Sequence, residues 1–335
     1  MAAITLAEAK NNATDDLDLA VIDEFRKESV ILDSLVFDEA VNPTGGGDTL
    51  TYGYRRQITQ PTAATRAINT EYTDQNVTTQ RYTTDLAVMG GSFSVDRVSA
   101  AIGAAASGSI ALNMSQKIKA ARTKFQDLVI NGDTAVDANG FDGLDKALTG
   151  SATEFRLASV TDWSDLDTNA AVKNAALDAL DEFLGLLDGT PTLILGNKSV
   201  LAKVRAIIRR TGMYVRNPVE GLVGSDGRPI SREEYGGIVF ADPGDIAGAS
   251  TPIIPIESRT VNAVLTTNLS DLYAIRIGMD GFHGVSTVGG AIASAWLPNF
   301  ADSGAVKRGE VELGPVAVAL RATKAASVFR NIKLS

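Results

Sequence analysis

The sequence holds no cysteine and a single histidine in 335 residues. Without cysteine, neither a disulfide framework nor a zinc–thiolate centre can be built. One imidazole rules out a site that needs several from one chain, and His283, in Gly281-Phe-His-Gly, is read as a structural residue among strands. No apolar run approaches the roughly 18–20 residues of a spanning helix, so no membrane association is expected. The opening Met1-Ala-Ala-Ile-Thr-Leu-Ala-Glu has no basic region followed by an apolar core, so no secretory signal is expected either. No lysine occurs between Lys27 and Lys117, which leaves that stretch without an amine for covalent chemistry. A repeat at a period of roughly 20–50 residues, the mark of a solenoid or propeller, is also missing.

What is present is an ordinary globular composition, 44% hydrophobic and 21% charged. The length suits one elaborate domain or two modest ones. A net charge of −9 argues against broad adhesion to nucleic acid, which needs a basic footprint. The charge is uneven: residues 1–40 carry ten acids against three bases, a net of −7. This stretch is either a solvated helix face or an acidic arm that docks on basic surfaces of neighbouring molecules.

Leu17, Val21 and Phe25 form a narrow apolar stripe on an N-terminal helix, and Glu28–Phe37 reads as a strand or a short packed segment. From Asn42 to Arg81 the chain is rich in Thr, Gln, Asn and Gly. Asp48–Ile58 and Asn76–Thr84 alternate like strands around the polar stretch Thr59–Ala67. The pattern predicts a long hairpin that cannot bury itself. A lone two-stranded ribbon is marginal in water, so it must rest on something else. Asp85–Val95 is strand-like with Gly90-Gly91 interrupting it.

The clearest helix runs from Ser109 to Asn131, with Ile110, Met114, Ile118, Ala121, Phe125 and Leu128 on one face. Ser109 is its expected N-cap and Asn131-Gly132 its stop. Helix Asn169–Leu187, strand Pro191–Gly196 and helix 198–210, capped by Asn197 and closed by Gly212, make up the middle. Asn217–Arg232 reads as a loop, and Val261–Thr267, Leu272–Ile277 and Val311–Thr323 as strands. The class is α+β, with a separable middle region.

Gly45-Gly46-Gly47 lacks the Gly-Lys-Ser/Thr ending of a phosphate loop. Asp133, Asp137, Asn139, Asp142 and Asp145 invite a calcium-loop reading, but with Gly140 as the central glycine the first ligand position is Ala135 and the last Lys146. No catalytic residue, metal ligand or cofactor is expected. Hydrolysis by a carboxylate pair is the alternative from another class.

Four segments, in this order, resemble the tailed-phage major capsid proteins of the Hong Kong 97 type. They are Arg26–Phe37, the hairpin of residues 43–81, Arg122–Asp133 with Asn139–Leu144, and Leu222–Ile230. The resemblance implies an N-terminal arm and first core segment (1–41), an extended β-hairpin loop (42–84) and a peripheral domain with the spine helix (85–160). It further implies an axial domain (161–258) and strands returning to both domains (259–335). It implies a virion shell of hexamers and pentamers around double-stranded DNA held without sequence readout. The shell would assemble in the host cytoplasm with a portal, a scaffolding protein and a candidate decoration protein as partners.

Contacts between copies are then expected at Tyr52, Tyr54, Arg55, Arg56, Arg66 and Glu71 of the loop, Asp23 and Phe25 of the arm, and Arg205, Arg209 and Arg210 of the middle. Some members cross-link through a loop lysine; this loop has none, so non-covalent stabilisation is expected. The short N-terminus fits a separate scaffold. An encapsulin shell, which shares the fold and holds cargo enzymes, is the nearest alternative.

Overall fold

The computed structural model describes residues 30–42, 49–98, 104–166, 170–210, 215–223, 229–235, 238–246, 248–249, 251–289 and 292–335. The periodic apolar residues of the sequence's longest helix come together in α2, which in chain order follows α1 (Val30–Ser34), β1 (Phe37–Val41), β2 (Thr51–Gln57), β3 (Thr79–Asp85) and β4 (Ala87–Asp96). Helix α2 spans Ala104–Asn131, about 42 Å at ~1.5 Å per residue. It begins five residues before the expected cap, because Ala104-Ala-Ala costs least of all in a helix and carries it through Ser109. The stop is as expected. Gly132 N donates to Leu128 O at 3.0 Å, and a Cβ on Gly132 would lie 2.2 Å from Phe141 O. Met114, Ile118, Ala121, Phe125 and Leu128 are buried, facing β4 and the long strand β15 (Val306–Leu320).

That strand organises the first sheet. With β13 (Phe282–Thr287) and β14 (Ala293–Trp296), its order is β1-β13-β15-β14, and β4 pairs along the other side of β15. Strand β4 is not interrupted at Gly90-Gly91. A Cβ on Gly90 would meet Val311 O at 2.1 Å, so the glycine permits the pairing instead of breaking it. Of the two readings of Glu28–Phe37, a strand or a short packed segment, the described residues show the packed one: the short helix α1, followed by β1 from Phe37. Ile31 and Leu35, four apart, enter the core from one helical face.

The second sheet has nine strands. Its path starts at β5 (Glu154–Phe155), which follows the short helix α3 (Leu144–Leu148), and ends at β8 (Val215–Val223). The order is β5-β16-β12-β7-β10-β9-β8, where β7 is Leu193–Gly196, β9 Pro229–Tyr235, β10 Ile238–Ala241, β12 Val264–Ile275 and β16 Ala326–Lys333. Strand β6 (Thr161–Asp162) adds to β16, and β11 (Glu257–Val261) to β12. Helices α4 (Ala170–Leu184) and α5 (Lys198–Arg210) cover one face, burying Phe183, Val200, Val204 and Ile207 with Trp163 and Phe329. The alternate residues Leu193, Leu195, Tyr273 and Ile275 join the core around α2.

Asn197 caps α5 as its sequence requires, its Oδ1 accepting from Ser199 N at 3.0 Å. Three expectations change here. The segment 217–232, read as a loop, carries the antiparallel strands β8 and β9, with the irregularity of its Pro and Gly residues absorbed between Pro218 and Val223. The strand expected at Val261–Thr267 contains a turn, with Asn262 and Ala263 both at positive φ (49° and 66°). The strands expected at 261–267 and 272–277 join in one, β12, because β11 pairs it from Val264 to Leu269 and β16 from Leu269 to Ile275, which leaves no gap between them. Gly212 lies outside the described residues.

No helix among the described residues is long and apolar enough to cross a membrane.

Candidate interaction site at the extended hairpin

Among the described residues, strands β2 and β3 pair only with each other, in register from Thr51↔Asp85 to Gln57↔Thr79. The ribbon continues as polar cross-links: Ile58 N to Thr78 O at 2.8 Å, Thr59 Oγ1 to Thr78 Oγ1 at 2.9 Å, and Gln75 Nε2 to Thr62 Oγ1 at 2.9 Å. Every residue from Gln57 to Arg81 is exposed, including Ile58, Tyr72, Val77 and Ile68, the last 90% accessible. A ribbon with apolar side chains in water and no packed face has a surface made for another molecule.

The root of the hairpin is the opposite in character. Tyr52 is buried, and its hydroxyl donates to Asp38 Oδ2 at 2.9 Å while accepting from Arg321 Nη2. The same hydroxyl lies 3.3 Å from His283 Nε2, with the two rings edge to face at 5.8 Å. Burial, then the Asp38 carboxylate, raises the Tyr52 phenol; burial also raises that of Tyr54. Burial and then the Arg321 guanidinium lower His283, which holds it neutral.

Arg56 closes the root. Its Nε donates to Arg321 O at 3.0 Å and its Nη2 to Leu320 O, while the guanidinium lies 4.3 Å from the centre of the Tyr82 ring. Tyr82 in turn stacks on Tyr54, with ring centres 5.8 Å apart and planes at 18°. A rigid foot therefore projects a solvent-exposed arm.

Of the residues expected to meet other copies, Tyr52, Tyr54 and Arg56 converge at this foot and are engaged within the chain. Arg55, Arg66 and Glu71 lie on the exposed ribbon, where Arg66 Nη1 donates to Thr70 O at 3.1 Å and its guanidinium lies 5.5 Å from the Tyr72 ring centre. Arg205 and Arg209 are exposed on α5, far from the hairpin in the fold; Arg210 ends that helix, and its side chain, like Asp23 and Phe25, lies outside the described residues. Asp38 and Arg321 are the members of the foot that the sequence did not point to. They stand 283 residues apart and carry no local signature.

A second polar assembly lines a cleft of about 390 Å³ beside β11, β12 and β16. Arg330 Nε donates to Glu154 Oε1 at 3.0 Å, and its Nη1 to Asp271 Oδ2 at 3.2 Å and to Asp145 Oδ1. Arg259 Nη1 reaches both oxygens of Asp271, at 2.7 and 2.8 Å. Burial opposes the charge of Arg330, but the field of Tyr273, Asp145 and Asp271 outweighs it and raises the guanidinium further. These charges answer one another, as buried charges must.

The acidic run after α2 is neutralised by a side chain of its own. Lys146 Nζ sits 2.5 Å from Asp133 Oδ1 and 3.0 Å from Asp142 Oδ1, and its hydrogen bond holds Asp133 below the usual carboxylate range. No group of three or more His, Cys, Asp or Glu among the described residues is placed to hold a metal ion.

No protein-family model and no curated protein matches the chain. Solved structures do. The holo-SrpI encapsulin complex from Synechococcus elongatus PCC 7942 superposes with a TM-score of 0.54 at 14% identity, over 90% of this chain and 86% of that one. The capsid of Myoviridae phage XM1 gives 0.51 at 9% identity, over 90% and 91%. The capsid of a native GTA particle gives 0.51 at 12%, over 84% and 85%. The chain has the Hong Kong 97-type capsid fold. At such identities the Hong Kong 97-type likeness lies in topology and not in side chains, so the foot and the exposed ribbon stand on this chain's own geometry.

Proposed function

We propose that the chain is the major capsid protein of a tailed phage, assembling into hexamers and pentamers of an icosahedral shell. The observation that carries this is the ribbon: a rigid foot aims 25 consecutive exposed residues, Gln57–Arg81, away from the chain's own cores, on a fold shared with shell proteins. Ordering such a ribbon is favourable only if a neighbour covers Ile58, Ile68 and Tyr72.

We assign residues 1–41 to the arm and first core segment, 42–84 to the extended loop, 85–160 to the peripheral domain and 161–258 to the axial domain, with 259–335 returning to both. Genomic double-stranded DNA, a portal and a scaffolding protein are the assigned partners, and a decoration protein is a candidate on the outside. The site of action is the virion, assembled in the host cytoplasm. The role is structural and no catalytic residue is assigned.

Microscopy of the purified protein with sedimentation alongside tests this. Closed shells or rings of five and six support it; a homogeneous monomer that stays dispersed with scaffold present overturns it. Denatured shells should run as single chains, because no lysine lies between Lys27 and Lys117 to form an isopeptide in the loop.

The superposition on an encapsulin favours a second reading, a shell around protein cargo. Particles from producing cells separate the two: nuclease-protected double-stranded DNA belongs to the phage reading, and a co-purifying enzyme without DNA to the other.

A further inference from the structure

Helix α5, KSVLAKVRAIIRR, has five cations and no acid, in a chain of net charge −9. Its buried face is Val200, Leu201, Val204, Ile207 and Ile208, so Lys198, Arg205 and Arg209 fall on the outward face with Ala202 between them. Lys198 touches Asp242 only at 3.5 Å and keeps 75% of its side chain in solvent.

On the same side of the nine-stranded sheet, α4 buries Ala176, Ala179, Leu180 and Phe183 and turns Asp178, Asp181 and Glu182 outward. Glu182 pairs with Arg156 at 3.2 Å, whereas Asp178, Asp181 and Arg209 have no ion pair among the described residues. Helix α4 lies over β16 and β6, and α5 over β12, so the two stripes are displaced sideways along the sheet, the anionic one towards its β5–β6 edge.

We infer that these stripes are the two halves of one head-to-tail contact: the cationic face of α5 in one copy docks on the carboxylate face of α4 in the next. This rests on the shell reading and names a partner surface for Arg205 and Arg209. Two unlike patches on one molecule, each fitting the other on a neighbour, give a heterologous contact, which closes into a ring when the rotation allows. Charge complementarity selects this occupant over nucleic acid. A phosphate backbone lying across this side of the sheet would be repelled by the unpaired carboxylates of Asp178 and Asp181, whereas a second copy brings both signs in the required places.

The test is charge reversal, read by sedimentation of the full chain at physiological salt. The α5 variant is Lys198→Glu with Arg209→Glu, and the α4 variant is Asp178→Lys with Asp181→Lys. All four positions are exposed, so circular dichroism should match the unmodified chain, and melting should fall by no more than the loss of the exposed Lys198–Asp242 pair. Each reversed chain is expected to lose about tenfold in assembled fraction, and the chain carrying both reversals to return to within about twofold of the original.

Mixing the two singly reversed chains adds a readout that general loss of stability cannot imitate. They fit only in strict alternation, which a ring of six permits and a ring of five forbids, so hexamers should reappear without pentamers. Single reversals that assemble normally would overturn the contact and leave the shell reading standing. A doubly reversed chain no better than the single ones would overturn it in favour of another anion on α5, such as the acidic residues 15–24 or the genome. An unmodified chain that stays dispersed overturns the shell reading and this contact with it.

Discussion

Replacing Arg56 with alanine should free the extended hairpin from its foot. The side chain supplies two charge-assisted hydrogen bonds to the carbonyls of Leu320 and Arg321 and a cation–π contact with Tyr82. Charged hydrogen bonds are worth ~1.5–3 kcal/mol each and an exposed cation–π contact ~0.5–1 kcal/mol. Arg56 is only partly buried, and both carbonyls can turn to water once it is gone, which removes about half of that sum. The remainder, about 2–3 kcal/mol, raises the opening equilibrium of the root by ~30- to ~150-fold. Lysine cannot fork between two carbonyls while lying flat on a ring, so Arg56→Lys should recover less than half of it. Hydrogen exchange of the amides in β2 and β3, measured on the unassembled chain, reads the effect directly. The global melting temperature should move less, because Arg56 itself belongs to neither core. If the amides of Arg56→Ala exchange no faster than in the original chain, or if Lys restores full protection, the foot is held by the tyrosines alone and the reasoning is wrong.

Three further outcomes follow from other parts of the fold. His283 resists protonation while the unfolded chain takes a proton near pH 6.5, so stability should fall as pH drops below that value; thermal melts between pH 7.5 and 5 should show a slope that His283→Gln flattens. Gly90→Ala places a methyl against Val311 O and should cost about 2–3 kcal/mol in denaturant melts, whereas Gly91→Ala, which meets only the flexible Lys117 side chain at 3.1 Å, should cost under ~1 kcal/mol. Arg330→Met leaves the Glu154 carboxylate, 3% accessible, without its ion pair while Asp271 keeps Arg259, and should destabilise the chain by about 3 kcal/mol, a loss that adding Glu154→Gln partly reverses.

What could be read from the sequence was what repeats locally. The three-and-four spacing from Met114 to Leu128 gave α2 its face and its stop, and the polar alternation around residues 51–57 and 79–85 gave the ribbon and its lack of a core. The errors fell where a distant strand decides. Gly90 looks like a breaker until β15 is placed beside it, and the strand looks finished at Thr267 until β11 and β16, which meet it in turn at Leu269, are placed beside it. The Arg330 assembly was illegible, since Arg330 and Asp145 stand 185 residues apart. Lys146 is the instructive case. Its position spoiled the calcium-loop pattern, and the reason is that its ammonium already stands among those carboxylates.

The sheets also dictate an order of events at the ribosome. Strands β12, β15 and β16 are the interior strands on which the earlier ones pair, and all of them follow residue 263 in the chain. Until they emerge, β4 and β7 have lost-cause edges: β4 lacks the strand it pairs with, and β7 lacks one of its two neighbours. Synthesis at ~5–20 residues per second thus holds the nascent chain unfinished for several seconds, with neither core closed. A product that stops before β15 can complete neither sheet and so cannot present a finished surface to another copy. If the proposed shell forms, the late arrival of the central strands would act as a quality gate, admitting to the lattice only chains that carry all three.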